Sequence, residues 1–153
     1  MAGKLLNPND AISGKEGRAI ITLDGEVHDL FFVKKVEAKI TKTKAQIKTI
    51  GRRSTGNKTT GWEGSGTLTL WYITSIFRQK MVEYIKTGKD FYFDLVVENE
   101  DPSSATGKQT VAMYNCNIDE AILAALDVDA DVLEEEVPFT FEDADILQGF
   151  NEI

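Results

Sequence analysis

Residues 33–50, VKKVEAKITKTKAQIKTI, decide the fold class of this chain. Apolar Val36, Ala38 and Ile40 alternate with charged residues, and the same period of two returns at Ala45 and Ile47. This period is typical of a β-strand with one apolar and one polar face. The interruption at residues 41–44 contains no Gly, Pro, Asn or Asp, so it is compatible with a turn or with a bulge inside one long strand. We expect extended structure throughout.

The next residues, GRRSTGNKTTGWEGSG at 51–66, lack a regular period. Five glycines stand among Ser, Thr and Asn residues, a composition that favours a long loop. Loops of this length are usually functional or mobile, and the cations of Arg52, Arg53 and Lys58 suit an anionic partner. Trp62 has two equally supported interpretations: it fastens the loop to its own domain, or it anchors a neighbouring copy.

A strand at residues 67–73 leads into one helix, which begins after Thr74 or Ser75 and ends at Gly88. At helical spacing, one face of this helix carries Ile76, Phe77, Lys80, Met81, Tyr84 and Ile85. Further patterns predict strands at residues 18–23, 27–33, 90–98, 109–118 and 133–142, with a tight turn at Asp24-Gly25. Residues 119–126 fit either a helical turn or a strand, residues 1–17 form an N-terminal arm, and residues 143–153 form a short tail.

Alternation assigns faces within two of these strands. In residues 133–142 one face carries Leu133, Glu135, Val137, Phe139 and Phe141, while Pro138 predicts an edge position or a bulge because it cannot donate to a ladder. In residues 109–118 alternation places Met113 and Cys116 on opposite faces. The sum is a mainly β (α+β) fold: one antiparallel sandwich-like or barrel-like domain over residues 1–153, with one flanking helix.

Composition excludes several classes of protein. The chain has 153 residues, of which 42% are hydrophobic and 27% charged, which is typical of a globular domain and not of a disordered or collagen-like chain. No run approaches the ~18 apolar residues of a membrane span, and the N-terminus lacks the apolar core of a signal peptide. We therefore expect an intracellular origin without membrane anchoring.

Charge is divided unevenly along the chain. The net charge is −8, but residues 1–62 carry +6 and residues 63–153 carry −14. An acidic total disfavours ordinary DNA binding. The division itself suits head-to-tail self-association, although a solvated basic hairpin beside solvated acidic loops also accounts for it.

The sequence gives no pattern for catalysis, for a cofactor or for a metal site. One cysteine and one histidine exclude an internal disulfide, a cysteine-cluster zinc site and most triad chemistry. Cys116 fits a small core residue better than a nucleophile. The Glu134-Glu135-Glu136 run lacks EF-hand spacing, and the glycines at 51–66 lack the order of a phosphate-binding loop.

Several stretches together resemble one family. They are ISGKEG at 12–17, GRRSTGNKTTG at 51–61, the strand and helix of residues 66–88, LDVD at 126–129 and LEEEVPFTFED at 133–143. The chain resembles the tail tube protein of contractile-tailed phages, of PBSX-type defective prophages and of contractile bacteriocins such as the diffocins. The resemblance covers nearly the whole chain, and its most specific parts are the Arg-Arg loop and the EEEVPFTFE strand.

The resemblance implies a structural protein without catalysis. Six copies would form a ring, each contributing strands to a closed β-barrel around a channel, and rings would stack into the inner tube of a contractile tail. On sheath contraction this rigid tube is driven through the target envelope. The implied partners are other copies of the chain, the sheath, baseplate and tape-measure proteins and, in a phage, the DNA that passes through the channel. The implied location is the bacterial cytoplasm during assembly, then the virion tail or a released tailocin particle.

Two residue sets follow from this resemblance. The candidates for contacts between subunits are Arg52, Arg53, Lys58, Trp62, Glu134 and Glu136. The candidates for the channel wall are Lys35, Glu37, Lys39, Lys44, Gln46 and Lys48, with the apolar face of residues 33–50 on the domain's own core. A lysine-rich wall would retain DNA unless glutamates of other strands balance it.

Two alternatives stay open at this point. A tube of the type VI secretion kind shares the architecture but carries a secreted effector. A monomeric β-barrel that binds a ligand, or an enzyme built on one, would instead require a concave site with converging polar groups.

Overall fold

The structure is a computed structural model that describes residues 4–153. Within these residues a single 3₁₀ turn, Pro8–Asp10, precedes the strands, and one α-helix interrupts them. The strands are β1 (Gly17–Leu23), β2 (Glu26–Asp29), β3 (Val33–Ile47), β4 (Gly56–Trp71), β5 (Phe93–Glu100), β6 (Lys108–Ile118), β7 (Glu134–Phe141) and β8 (Asp143–Gln148); the helix is α1 (Ile76–Thr87). The predicted mainly β fold with one helix is confirmed.

All strand pairs are antiparallel, in the order β2-β1-β5-β6-β7-β4-β3, with β8 paired to β6. The sheet curls on itself at β6, because β5 and β7 are not neighbours in this order and yet the Phe93 and Phe139 rings lie 6.4 Å apart. The two halves of the sheet therefore enclose one core in the manner of a sandwich. The sheet is not closed, since within residues 4–153 the strands β2, β3 and β8 each have a partner strand on one side only.

The helix covers one end of this core. Phe77 is buried, its ring lies 5.9 Å from that of Phe93, and Ile76 and Met81 pack beside it. Gly88 ends the helix at φ 74°, where its N–H donates to the Tyr84 carbonyl at 2.7 Å. Tyr84 and Ile85, predicted on the same face, are largely exposed, so the apolar face of the last turn is not covered by the core.

The prediction of a loop over residues 51–66 is wrong from residue 56 onward. β4 begins at Gly56 and pairs with β3, so the connection is only residues 48–55. The glycines are there because aromatic rings occupy the space above them. A Cβ at Gly64 would lie 2.4 Å from the Phe141 ring, and a Cβ at Gly66 would lie 2.5 Å from the Phe139 ring. Glycine within a strand here marks close packing, not a loop.

β3 is extended from Val33 to Ile47, as predicted. The register shifts where Thr43 and Lys44 oppose Gly61 and Thr59, so that the additional residue is Thr60 of β4. The Thr60 hydroxyl donates to the Thr43 carbonyl at 3.2 Å. Of the two alternatives for residues 41–44, a turn or a bulge, the structure has a bulge, but on the partner strand.

A second irregularity corrects the faces assigned in β6. Asn115 has φ 51°, and the pairing advances from Leu95–Met113 to Phe93–Cys116. The additional residue brings Cys116 to the same buried side as Met113, although strict alternation separates them. Residues 143–148, predicted as part of a tail, form β8 because they pair with the other edge of β6.

The predicted N-terminal arm is fastened to the turn between β5 and β6; its residues 1–3 lie outside the described residues. The backbone N–H of Ser13 donates to Asp101 Oδ2 at 2.9 Å, and that of Ala105 donates to Asp10 Oδ1 at 3.0 Å. Ser103 also donates to Asp101, and these two N–H donors lower the pKa of the Asp101 carboxyl.

Candidate assembly surfaces

A basic hairpin extends beyond the sheet. β4 pairs with β7 only from Gly64 to Trp71, so residues 41–62 continue as a two-stranded projection of β3 and β4. We name residues 41–62 the basic hairpin, because they contain six Lys or Arg and no Asp or Glu. The cations are Lys42, Lys44, Lys48, Arg52, Arg53 and Lys58.

The predicted contact residues Arg52, Arg53 and Lys58 all lie in this hairpin and are exposed. Arg52 is in the connecting turn, where its Nε donates to the Ser54 hydroxyl at 3.0 Å. Lys58 is in β4 opposite Ala45. The structure therefore brings the three cations to one projection, although two of them lie in the turn and one in a strand.

Apolar side chains accompany these cations. Ile50 is fully exposed in the turn, and Ile47 is half exposed at the end of β3. The Trp62 ring lies 6.2 Å from that of Phe141, yet 44% of the residue is exposed. Trp62 thus contacts its own domain and still presents surface, so the two interpretations of this residue are compatible. The hairpin combines positive charge with uncovered apolar area.

The apolar face of residues 33–50 was predicted to lie on the domain's own core, and this is wrong beyond Val36. Val33 and Val36 pack against the core, but Ile40 is 59% exposed. The reason is topological, because β7 ends opposite Gly64 and residues 41–62 continue beyond that pair as a two-stranded projection.

A polar face lies on the outward side of β3, β4 and β7. Lys35, Glu37 and Lys39 oppose Thr69, Thr67 and Ser65 of β4, and β7 continues the face with Glu136 and Pro138. These side chains and Asp119 line one groove. Two lysines and three carboxylates therefore share this surface, and Lys35 Nζ lies 3.4 Å from Glu37 Oε2.

The predicted channel set is divided between two faces. Because the additional residue at the bulge belongs to β4, the alternation of β3 continues through it. Lys44 and Gln46 consequently lie on the opposite face of β3 from Lys35, Glu37 and Lys39. Lys48 follows the last residue of the strand. Only the first three residues of the set share the polar face with Glu136.

Glu134 and Glu136 have different surroundings, although both were predicted as contact residues. Glu134 accepts from Lys34 Nζ at 2.6 Å, and the same nitrogen lies 5.3 Å from the centre of the Trp71 ring. Glu136 is exposed on the polar face opposite Thr69. Glu134 is therefore already engaged within its own chain, whereas Glu136 contributes charge to the groove.

Glu135 is buried, as its alternation predicts, and it is paired with a residue that the sequence does not indicate. Its Oε2 lies 2.8 Å from Arg78 Nη1 of α1, and the guanidinium stacks 4.3 Å above the Tyr72 ring. The second guanidinium nitrogen donates to the Thr74 carbonyl. Burial raises the pKa of the Glu135 carboxyl, and Arg78 opposes that rise. This pair joins the helix to β7.

An acidic segment connects β6 to β7. The sequence of residues 119–126 was compatible with a helical turn or a strand. In the structure residues 119–133 form neither. They contain five Asp or Glu and no Lys or Arg, so we name them the acidic segment. Leu126 and Val128 within it are almost fully exposed. Like the basic hairpin, this segment combines one sign of charge with uncovered apolar area.

The remaining features that the sequence raised are Cys116, a metal site and a membrane-spanning helix. Cys116 is fully buried, and burial raises the pKa of its thiol to about 12, which fits a core residue. Residues 4–153 contain no group of three His, Cys, Asp or Glu side chains arranged to hold a metal ion. In the same residues, no helix has the length and apolar character needed to cross a membrane.

Comparison with known proteins decides the family. Residues 4–148 match the family of phage tail tube proteins. The chain belongs to this tail tube family. XkdM, a protein of the phage-like element PBSX of Bacillus subtilis strain 168, is 48% identical over 147 residues, which are 96% of this tail tube chain and 97% of XkdM. The uncharacterized protein YqbM of the same strain is 48% identical over 141 residues, 92% of this chain and 93% of YqbM.

Solved structures agree with this assignment. A Bacillus subtilis protein of 44% identity matches with a TM-score of 0.53, over 92% of this tail tube chain and 98% of that chain. A chain in the baseplate of the anti-feeding prophage matches with a TM-score of 0.69 at 13% identity, over 94% and 97% of the two chains. A chain in the sheath–tube complex of the PVC extracellular contractile injection system matches with a TM-score of 0.62 at 11% identity, over 91% and 92%. The last two likenesses show a shared fold. The predicted resemblance is confirmed, and the role of this tail tube protein is structural.

Proposed function

We propose that six copies of this chain close into a ring and that rings stack into the inner tube of a contractile phage tail or of a phage-tail-like bacteriocin. Family membership supplies the tube. The number of copies is supported by the anti-feeding prophage, whose baseplate structure is six-fold symmetrised and contains a chain of this fold. On sheath contraction the tube acts as a rigid conduit through the target envelope.

The observation that carries this proposal is the open edge of β3. This strand has fifteen residues and is last in the strand order, so its outer edge has no partner within residues 4–153. A long unpaired edge exposes a row of N–H and C=O groups that readily pair with another chain. Closure of several such sheets into one barrel removes those edges. The chain is thus built to complete its sheet with other copies of itself.

We assign the polar face to the channel wall. In a closed ring of sandwich-like subunits the apolar side of each sheet faces the subunit core, which leaves Lys35, Glu37, Lys39 and Glu136 on the free side. The carboxylates of Glu37, Glu136 and Asp119 outnumber the two lysines in this groove. A channel with this balance does not retain DNA by phosphate binding, which satisfies the requirement for passage in a phage.

Other partners follow from the tube itself. The sheath surrounds it, the baseplate nucleates it, and a tape-measure protein occupies the channel during assembly. Assembly takes place in the bacterial cytoplasm and ends in a virion tail or a released tailocin particle. PVC supports the sheath as a partner, since the chain of this fold there is in a sheath–tube complex.

Negative-stain electron microscopy of the purified chain over a concentration series tests the proposal. We expect six-fold rings or hollow tubes that increase with concentration, because association follows mass action. A lysate that contains baseplates is added to parallel samples to supply nuclei. Monomers at every concentration, with and without baseplates, would overturn the proposal.

A further inference from the structure

The basic hairpin and the last residues of the acidic segment lie towards opposite ends of β4. The basic hairpin continues past the pair Gly64–Phe141, whereas β7 begins seven residues further along β4, at the pair Trp71–Glu134. At about 3.4 Å per residue these pairs are about 24 Å apart. The acidic segment ends at this second position, where the Leu133 carbonyl accepts from the Tyr72 N–H at 3.0 Å. The turn of the hairpin therefore points away from the last residues of the chain's own acidic segment.

Neither surface is neutralised by ion pairs within the described residues. Among the ion pairs formed within residues 4–153, none includes a Lys or Arg of the basic hairpin or a carboxylate of the acidic segment. The six cations of the hairpin and the carboxylates of Asp127, Asp129 and Asp131 thus remain available for a contact with another copy. Their apolar companions, Ile50 on the hairpin and Leu126 and Val128 on the segment, are nearly or fully exposed.

We propose that the basic hairpin of one copy docks on the acidic segment of a second copy of this chain, head to tail along the strand direction. The proposal rests on the tube function and names the surfaces that stack successive rings. Opposite charge selects the partner, and the paired apolar side chains exclude water at the centre of the contact. A contact between two different surfaces extends a filament when its rotation does not close, which is the geometry of a stack, while the edge of β3 closes each ring.

Charge reversal tests the docking. In one variant Arg52→Glu and Arg53→Glu are combined, and in a second Asp127→Lys and Asp129→Lys are combined. We expect each pair alone to raise the critical concentration for tube growth at least about tenfold, because attractive pairs become repulsive ones. All four changes together should restore growth to within about threefold of the wild type, because the attraction is re-formed with its signs exchanged.

Matched controls separate this contact from general effects of charge. Lys86→Glu with Lys89→Glu makes the same charge change as the hairpin variant, on exposed residues of α1 and the turn that follows it. This control should grow tubes at the wild-type concentration. If the wild type forms tubes and the Asp127/Asp129 variant grows like the control, or if the fourfold variant grows no better than either pair, the docking is wrong and the tube function stands.

Cross-linking gives a decision even where no tube grows. Copies with Ile50→Cys are mixed with copies with Val128→Cys, and a short bismaleimide is added; the native Cys116 is buried and does not compete. We expect a covalent dimer in this mixture and much less when Ile50→Cys is mixed with Ile85→Cys on α1. Equal yields in the two mixtures would overturn the docking. Absence of tubes together with the specific dimer would instead overturn only the stacked-ring function.

Discussion

Replacement of Arg78 by Met removes the partner of a buried carboxylate and keeps most of the side-chain volume. Glu135 is 2% exposed, and Arg78 is its only ionic partner within residues 4–153. Loss of one partner of a buried ion pair typically lowers the free energy of unfolding by about 3–5 kcal/mol, because the remaining charge is left without compensation. We expect a loss in this range for Arg78→Met near pH 7.

The dependence of this loss on pH follows from the carboxyl pKa. Burial raises the pKa of Glu135 in the folded state, and removal of Arg78 raises it further. A carboxyl with a raised folded-state pKa takes up its proton more readily in the folded chain. Its stabilising contribution is present below the unfolded-state pKa, about 4.3, and is lost as the pH rises through the folded-state pKa. The deficit of Arg78→Met should therefore be smaller at pH 4 than at pH 7.

Urea unfolding followed by circular dichroism at pH 4 and pH 7 measures both effects, at a fixed concentration at which the chain does not polymerise. The combined variant Arg78→Met with Glu135→Leu should recover most of the loss, since apolar replacement of both partners of a buried pair is often neutral. Arg18→Met is the control, because its pair with Glu98 is solvent-exposed on the arginine side; we expect at most about 1 kcal/mol there. A loss for Arg78→Met equal to that of the control, or a loss that does not change with pH, would refute the reasoning.

Three further substitutions test the hydrophobic core and the attachment of the N-terminal arm. Phe139→Ala should lower the free energy of unfolding by about 3–5 kcal/mol, because the side chain is fully buried; a thermal midpoint near that of the wild type would contradict its place in the core. Gly66→Ala should cost about 1–3 kcal/mol in the same assay, because its Cβ would meet the Phe139 ring and a backbone carbonyl, whereas Gly61→Ala has open space and should change little. Asp101→Asn should speed hydrogen exchange at the Ser13 amide, and in the wild type the protection should be retained near pH 7 and lost as the pH falls through the lowered pKa of Asp101. Unchanged exchange in that variant would show that Asp101 does not fasten the arm.

The predictable part of this fold is the part in which one strand face is buried. β7 alternates between exposed and buried residues along its whole length, so its core face could be assigned from the sequence. Pro138 is tolerated within β7 because the ladder with β4 requires no N–H from this residue. Its carbonyl points towards the end of β6 and accepts a hydrogen bond from the Asp119 N–H. The prediction for residues 56–66 was wrong, because glycines favour a turn or loop in a sequence unless the aromatic rings that pack on them are known. Phe139 and Phe141 are more than seventy residues away in the chain, and no local pattern reveals them.

The candidate surfaces also differ in whether the sequence alone predicts them. The basic hairpin and the acidic segment are visible as runs of one sign, because such runs are a property of the sequence alone. The faces of β3 are not, because the sequence shows neither that the additional residue lies in β4 instead of β3 nor where β7 ends. The partner of Glu135 is equally hidden, since Arg78 belongs to a helix that packs on β7 only in the folded chain.

The electrostatics of the proposed channel follow from that register and not from the composition of β3. Taken alone, β3 would line a channel with lysines, and a lysine wall would hold the phosphates of DNA. In the structure only the first half of β3 shares a face with β7, and Lys44 lies on the opposite face, so the lysines are divided and Glu136 joins the remainder. Lys44 and Lys48 of the predicted channel set belong instead to the basic hairpin, which lies at the end of β4 opposite to the last residues of the acidic segment. The unbroken alternation of β3 and the end of β7 thus leave the proposed channel wall with more carboxylates than lysines and leave the remaining cations in the basic hairpin.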